Sequence, residues 1–270
     1  MTPDSRSGLI LLTGATGFVG RQVLDELCGR GARIRPVVRD GKQGQIPASP
    51  AIESIVTTAD LWAETIGWWA EACRGVDTVI HVAWYAEPGQ YLQSIKNLEC
   101  LSGTLQLAQG AARAKVRRFV GVGHLEVKTP LKPTTLYAAA KAAAFMTLAQ
   151  YLPQQGIEFA WCRLFYLYGE GEDARRLVPY LRAKLAAGEP AELTSGNQLR
   201  DYLDVREAAR QLADAALGRV QGPVNICSGE GVTIRALAER IADEYGRRDL
   251  LRFGARPDNL VDPPVVVGVR

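Results

Sequence analysis

A doubly wound parallel α/β sheet with a smaller C-terminal region is the fold the sequence predicts, and three observations predict it. The apolar run Leu9-Ile10-Leu11-Leu12-Thr13 stops at Gly14-Ala15-Thr16-Gly17-Phe18-Val19-Gly20 and passes into an amphipathic stretch. Short apolar runs then alternate with helical patterns as far as Arg163. Beyond Tyr168-Gly169 that rhythm gives way to helices separated by short extended pieces. Strands alternating with helices at this spacing build a parallel sheet covered on both faces.

Taken in order, the first strand and glycine turn are followed by an apolar strand over Ile34–Val38, ending at Arg39-Asp40. A Gly/Pro/Ser-rich loop over 41–50 leads to a third strand over Ile52–Val56, with Asp60-Leu61 just beyond. Ala63–Cys73 reads as helix, Thr78–Ala83 as a fourth strand, and 91–114 as one long helix. Phe119–Val122 is a fifth strand, Tyr137–Leu152 an alanine-rich helix, and Phe159–Arg163 a sixth strand. Further helices are expected near 174–187, 206–217 and 234–245. Residues 1–167 are therefore assigned to the main domain and 168–270 to a substrate-binding region over the carboxyl ends of the strands. About 200–217 is expected to pack back on the main domain.

The chain has 270 residues, 47% hydrophobic and 23% charged, enough for a full core. A net charge of +3, with no basic run interleaved by aromatics, argues against nucleic acid. No apolar run approaches a membrane span, and the polar N-terminus is no signal peptide. Five scattered cysteines without Cys-x-x-Cys read as small core residues in a reducing cytoplasm. With only His81 and His124, no metal site is expected.

The glycine spacing carries the first chemical inference. Gly14 permits a sharp turn, Gly17 lets backbone amides approach a pyrophosphate at the positive end of the helix, and Gly20 lets helix and strand pack closely. The second lies in Tyr137-Ala138-Ala139-Ala140-Lys141. Residues i and i+4 share a helix face, and an ammonium beside a phenol favours the phenolate. Such a phenol exchanges a proton with a carbonyl oxygen while hydride moves at carbon.

These segments resemble the extended short-chain dehydrogenase/reductases, in the nucleotide-sugar epimerase/dehydratase group. The resemblance covers nearly the whole length. Besides the glycine turn and Tyr137–Lys141 it runs through Asp60-Leu61, His81-Val82-Ala83, Arg163 to Gly169, Leu193 to Gly196, Arg200-Asp201-Tyr202, Asn225 to Gly229 and Arg256-Pro257. It implies a Rossmann-type domain, a bound NAD or NADP, and hydride chemistry on a nucleoside-diphosphate sugar. It also implies a homodimer through helices 91–114 and 137–152. By position, Gly14, Thr16, Gly17, Phe18, Val19, Arg39, Asp60, Leu61, Val82 and Ala83 would bind the cofactor with Tyr137 and Lys141. Asp60 would reach the adenine, while Tyr166, Arg200 and Arg256 would hold the substrate. Arg39 at the end of the second strand suits the 2′-phosphate of NADP, and a shift of one residue would put Asp40 in the NAD role.

The chain also departs from that group. The group ends its fifth strand with a Ser or Thr that hydrogen-bonds the reacting oxygen, whereas here Gly123 leads directly to His124. Three explanations compete: His124 takes the role, the third group is dispensed with, or residues are missing between Gly123 and His124. The third is preferred, and continuous backbone there refutes it. Tyr166 stands where Asn is common, and the chain stops soon after Asp262-Pro263-Pro264. The favoured function is 4-keto reduction or epimerisation, with Tyr137 as acid/base. The alternatives are a reductase of non-nucleotide carbonyls and a non-catalytic NADP(H)-sensing protein.

Overall fold

A computed structural model describes residues 8–124, 133–258 and 263–270, with the side chain of His124 outside the description. The chain divides into two compact units. One runs to Leu164 and takes in Arg206–Val224; the other comprises Phe165–Val205 and Asn225–Arg270.

The first unit is built on parallel strands β1 (Leu9–Thr13), β2 (Ile34–Arg39), β3 (Val56–Thr58), β4 (Val76–His81), β5 (Arg118–His124) and β6 (Glu158–Leu164). The helices are α1 (Phe18–Gly29), α2 (Ile66–Ala72), α3 (Lys96–Arg113) and α4 (Leu136–Gln154). β1 is buried at every position, as expected of a strand covered on both faces. Trp69, Phe119 and Trp161 fill the layer between the sheet and α2, α3 and α4.

In the second unit come β7 (Tyr166–Tyr168), α5 (Leu177–Ala186), β8 (Ala191–Glu192), β9 (Leu199–Arg200) and β10 (Tyr202–Asp204). The chain then enters α6 (Val205–Leu217) and β11 (Gly222–Ile226), followed by β12 (Val232–Thr233), α7 (Ile234–Glu244), β13 (Leu251–Arg252) and β14 (Val265–Val266). The main sheet has seven strands in the order β11-β6-β5-β4-β1-β2-β3. The strand order reverses on either side of β1, and such sheets bind ligands outside the carboxyl ends of their strands. The second unit has its own apolar core between α5 and α7, centred on Leu181, Ala238 and Ile241.

Arg118 is fully buried on β5. Its guanidinium pairs with Glu158 at 2.9 Å and donates to the carbonyls of Ala215 and Val220, tying the 206–224 segment to the sheet. Buried charge is tolerated only when paired in this way.

Three expected elements and one expected gap differ from the structure. The third strand is not Ile52–Val56: Ile34 bonds Ala51 O and Glu53 N around a single bridge at Ile52, the chain bows out at Ser54 and Ile55, and the ladder resumes at Val56. The helix expected from Ala63 begins at Ile66, because Thr65 caps it through Trp68 N and Asp60 first closes a separate turn through Trp62 N and Ala63 N. The helix expected over 91–114 is interrupted. Tyr91–Gln93 forms a single 3₁₀ turn, Ser94 is extended, and α3 starts at Lys96. No residues are missing between Gly123 and His124, since β5 runs through both in consecutive register with Arg163 and Leu164 of β6.

Candidate functional site

The turn after β1 is shaped by two close approaches. Gly14 takes φ +78°, and a Cβ there would lie 2.8 Å from Ala83 N. A Cβ on Gly20 would fall 2.0 Å from the Gly14 carbonyl oxygen. Gly17 is different. Its extended backbone (φ −86°, ψ 173°) suits any residue, and an added Cβ would meet only Gly14 O, at 3.4 Å. Among the described residues nothing therefore demands glycine at position 17. What its absence of side chain preserves is open space before the first turn of α1. That turn has no side-chain cap and no acidic residue. Unpaired N–H groups at a helix start favour an anion, so the cradle fits the diphosphate of a dinucleotide. Thr16, Phe18 and Val19 are partly exposed along it.

A buried polar chain fixes the neighbouring strand ends. Thr13 Oγ1 and His81 Nδ1 are 2.8 Å apart, and His81 Nε2 and Thr104 Oγ1 2.9 Å apart. Thr104 gives its single proton to Cys100 O at 2.7 Å, so toward His81 it accepts. His81 therefore carries its proton on Nε2, and Nδ1 accepts from Thr13. Thr13 Oγ1 in turn accepts from Ala83 N at 3.3 Å. Burial, with Lys141 adding to it, pushes the His81 imidazole down to about 3, so it stays neutral.

Just past β4, Trp84 stands between the two residues of the expected pair. The Lys141 ammonium is buried, donates to Val122 O at 2.7 Å, and sits 3.8 Å from the Trp84 ring centre. The Trp161 ring lies 5.9 Å from the same nitrogen. Trp84 meets the Tyr137 ring edge-on at 6.4 Å, and Tyr91 meets Tyr137 edge-on at 4.9 Å. Burial pushes the Lys141 amine down to about 7. The bond to Val122 O places Tyr137 and Lys141 at the carboxyl end of β5. Val82 and Ala83, both partly exposed, run from the glycine turn to this cluster.

The place expected for a Ser or Thr is filled by another side chain. The Trp161 indole lies across Gly121 and Gly123 of the adjacent strand, and a Cβ on Gly123 would come 2.0 Å from Trp161 Nε1. That buried N–H finds no acceptor among the described residues. The side chain of His124, the remaining candidate for a third group, lies outside the described residues.

Arg39 and Asp40 are both exposed at the carboxyl end of β2. Asp60 is exposed and accepts from Trp62 N at 2.9 Å, while Leu61 is buried in the core. In the second unit the structure brings Tyr166 and Arg200 together. The guanidinium lies 5.3 Å from the ring centre and donates to Leu199 O at 2.9 Å and Pro264 O at 3.2 Å. Arg256 is exposed, lies over Tyr180 at 4.9 Å, and donates to its hydroxyl. Asp201 is buried and collects N–H groups from Ser228, Gly229 and Gly268, fixing the loop after β11. Burial pushes the Glu172 carboxyl up to about 7, and its Oε2 has no partner among the described residues.

Trp84, Asn97, Thr104 and Trp161 are not among the residues expected from the sequence. A signal exists for Trp84, which directly follows the strand end His81-Val82-Ala83. It exists also for Trp161, a large residue opposite two glycines. Asn97 and Thr104 depend on where α3 begins and give no sequence signal.

Sheet order, the open glycine cradle and the cluster of a partly exposed Tyr137 with a buried Lys141 define a Rossmann-type, dinucleotide-binding α/β protein. A family model described as "NAD dependent epimerase/dehydratase family" matches residues 10–227, and the chain belongs to that family. It is 24% identical to a dTDP-6-deoxy-L-talose 4-dehydrogenase (NAD(+)) of Aggregatibacter actinomycetemcomitans, over 97% of this chain and 99% of that protein. It is 25% identical to a dTDP-4-dehydro-6-deoxy-D-allose reductase of Streptomyces bikiniensis, over 94% and 86%. Among solved structures, a UDP-N-acetylglucosamine 4-epimerase from Methanobrevibacter ruminantium superposes with a TM-score of 0.81 at 20% identity, over 98% of this chain and 90% of that one. A dTDP-glucose 4,6-dehydratase from Streptomyces venezuelae with NAD bound gives 0.79 at 22%, over 96% and 87%.

Proposed function

We propose that this protein is an NAD(P)-dependent oxidoreductase or epimerase acting at C4 of a nucleoside-diphosphate sugar. The observation that carries the reading is the continuity of His81–Trp84. Its Ala83 closes on the glycine turn, and its Trp84 closes on Lys141 and Tyr137. An anion cradle and the Tyr137 phenol are thereby held on one short segment. The relatives' names support the sugar-nucleotide chemistry.

When bound, a nicotinamide supplies two-electron hydride chemistry, and the protons are left to the protein. The Tyr137 phenol gives its proton to the C4 carbonyl oxygen in reduction and takes it back in oxidation. The Lys141 ammonium stabilises the phenolate by charge and would donate to the ribose of a bound cofactor. First-turn amides of α1 beside Gly17 hold the diphosphate, and Asp60 receives the adenine, flanked by the backbone of Leu61. Arg39 favours NADP over NAD. Arg200 and Arg256 are the arginines proposed for the substrate diphosphate, since a guanidinium fork matches phosphate oxygens; Arg256 is exposed, whereas Arg200, buried beside Tyr166, has to turn from Leu199 O and Pro264 O to reach it.

The assembly we infer is a homodimer through α3 and α4. Ile95 is 65% exposed and Met146 62%, with Leu98 between them in chain order also exposed. Among the described residues no helix is long and apolar enough to cross a membrane, and the five cysteines stand as thiols, which suits the cytoplasm.

Thermal-shift measurements with UDP, dTDP, CDP and GDP, each with and without NADPH, test the reading. Stabilisation by one nucleoside diphosphate above that of NADPH alone supports it through linkage, and a response to NADPH alone contradicts it.

A further inference from the structure

Trp84 is held more firmly than a packing residue needs to be. Its Nε1 donates to Asn97 Oδ1 at 2.9 Å. Asn97, fully buried, spends its amide protons on Tyr91 O at 2.6 Å and Ser94 O at 2.9 Å. The Tyr91 ring then meets Tyr137, and Tyr137 meets Trp84. The contacts close a circuit, Trp84–Asn97–Tyr91–Tyr137, and the break between the 3₁₀ turn and α3 is what lets Asn97 reach both carbonyls. Inside this circuit the indole turns its face to the Lys141 ammonium and stands at right angles to the Tyr137 ring.

We propose that Trp84 is a positioning residue that keeps the Lys141 amine charged and in place beside Tyr137. The inference rests on the reading of Tyr137 as the acid/base. A buried ammonium has lost its water, and here one carbonyl replaces only part of it. The negative face of an indole supplies the rest of the stabilisation, and it counts for most where water is excluded. Among the described residues the other groups around the amine offer no anion: Cys100 on α3 is a buried thiol pushed up to about 11, and His81 on β4 is neutral. Trp161 on β6 adds a more distant ring face. Without Trp84 the amine would lose its proton more readily, and the phenolate of Tyr137 would lose its counter-charge.

Two measurements test this. In ligand-free protein the indole fluorescence is followed from pH 6 to 9 in wild type, Trp84→Phe and Lys141→Met. The expected result is a step in the wild type, contributed by Trp84, that both variants lose. A step of the same size in Lys141→Met overturns the proposal, without any recourse to activity. Turnover in the alcohol-oxidising direction is then measured against pH for folded Trp84→Leu and Trp84→Phe. Oxidation needs the Tyr137 phenolate, so the rate rises with pH through its titration. Trp84→Leu is expected to move that midpoint up by about one pH unit or more and to lower turnover about tenfold at neutral pH, and Trp84→Phe to recover most of both. An unmoved midpoint in a folded Trp84→Leu protein overturns the proposal. Full turnover of Tyr137→Phe would instead remove the acid/base reading and leave the fluorescence result to decide the Trp84–Lys141 coupling.

Discussion

The hydroxyl of Thr13 donates to His81 Nδ1 at 2.8 Å, so the strand that ends in the glycine turn and the strand that ends beside Trp84 are joined by one buried hydrogen bond. Removing the donor strands an imidazole nitrogen in the core. Thr13→Val is expected to cost about 1–3 kcal/mol in denaturant unfolding. His81 titrates only near 3, so this loss is expected to be the same at pH 5 and pH 8. A loss that appeared only at one of those values would contradict the assigned neutral tautomer.

The three glycines after β1 are expected to respond differently to the same methyl group. Gly20→Ala drives a Cβ into the Gly14 carbonyl oxygen and is expected to destabilise the fold severely. Gly17→Ala meets only an ordinary contact and is expected to lower the melting temperature slightly, by no more than the loss of a glycine N-cap, about 1 kcal/mol. Its defect is expected in cofactor affinity, about tenfold or more by titration, because the methyl enters the cradle that a diphosphate would fill.

Lys141 gives the fold a pH dependence whose sign follows from its burial. Its folded value of about 7 lies below the 10.5 that an exposed lysine keeps on unfolding. Between those limits the unfolded chain binds a proton that the folded chain does not, so stability from this group rises with pH. The stability of wild type relative to Lys141→Met is expected to increase from pH 7 to 9, by at most about 1.4 kcal/mol per pH unit. A flat difference would show that the amine is not buried as described.

Arg39 is exposed at the carboxyl end of β2. Arg39→Ser is expected to raise the KM for NADPH at least about tenfold while leaving that for NADH within about twofold. Equal effects on both cofactors would assign the discrimination to another residue, with Asp40 the first to examine.

The sheet could be read from the chain because its strands are short apolar runs punctuated by glycine, and burial on both faces leaves no other use for them. Leu9–Thr13 is the plainest case. Ile52 misled because an apolar residue touching β2 by one bridge looks like the start of a strand. Its neighbours Glu53 and Ser54 turn outward, Glu53 to bind Arg33 and Arg35 and Ser54 to bind Arg35. The break before α3 was invisible, since it depends on a bond between Asn97 and a carbonyl six residues earlier. That Tyr137 and Lys141 share a helix face was legible from their spacing, and their place after the fifth strand is what gave the spacing meaning. The indole between them was not legible, because it arrives from the end of a different strand. The absent Ser or Thr was legible as an absence, and its cause, Trp161 lying across Gly123, required the register of β5 against β6.

The central claim is that Tyr137 moves the proton while a bound nicotinamide exchanges hydride with the sugar. The most direct measurement is the turnover of Tyr137→Phe with NADPH and a nucleoside-diphosphate 4-keto sugar, followed by nicotinamide absorbance, with cofactor binding checked by thermal shift. A loss of about 100- to 10,000-fold in kcat is expected, with cofactor stabilisation unchanged. Turnover within about threefold of wild type, in a variant that still binds NADPH, would contradict it.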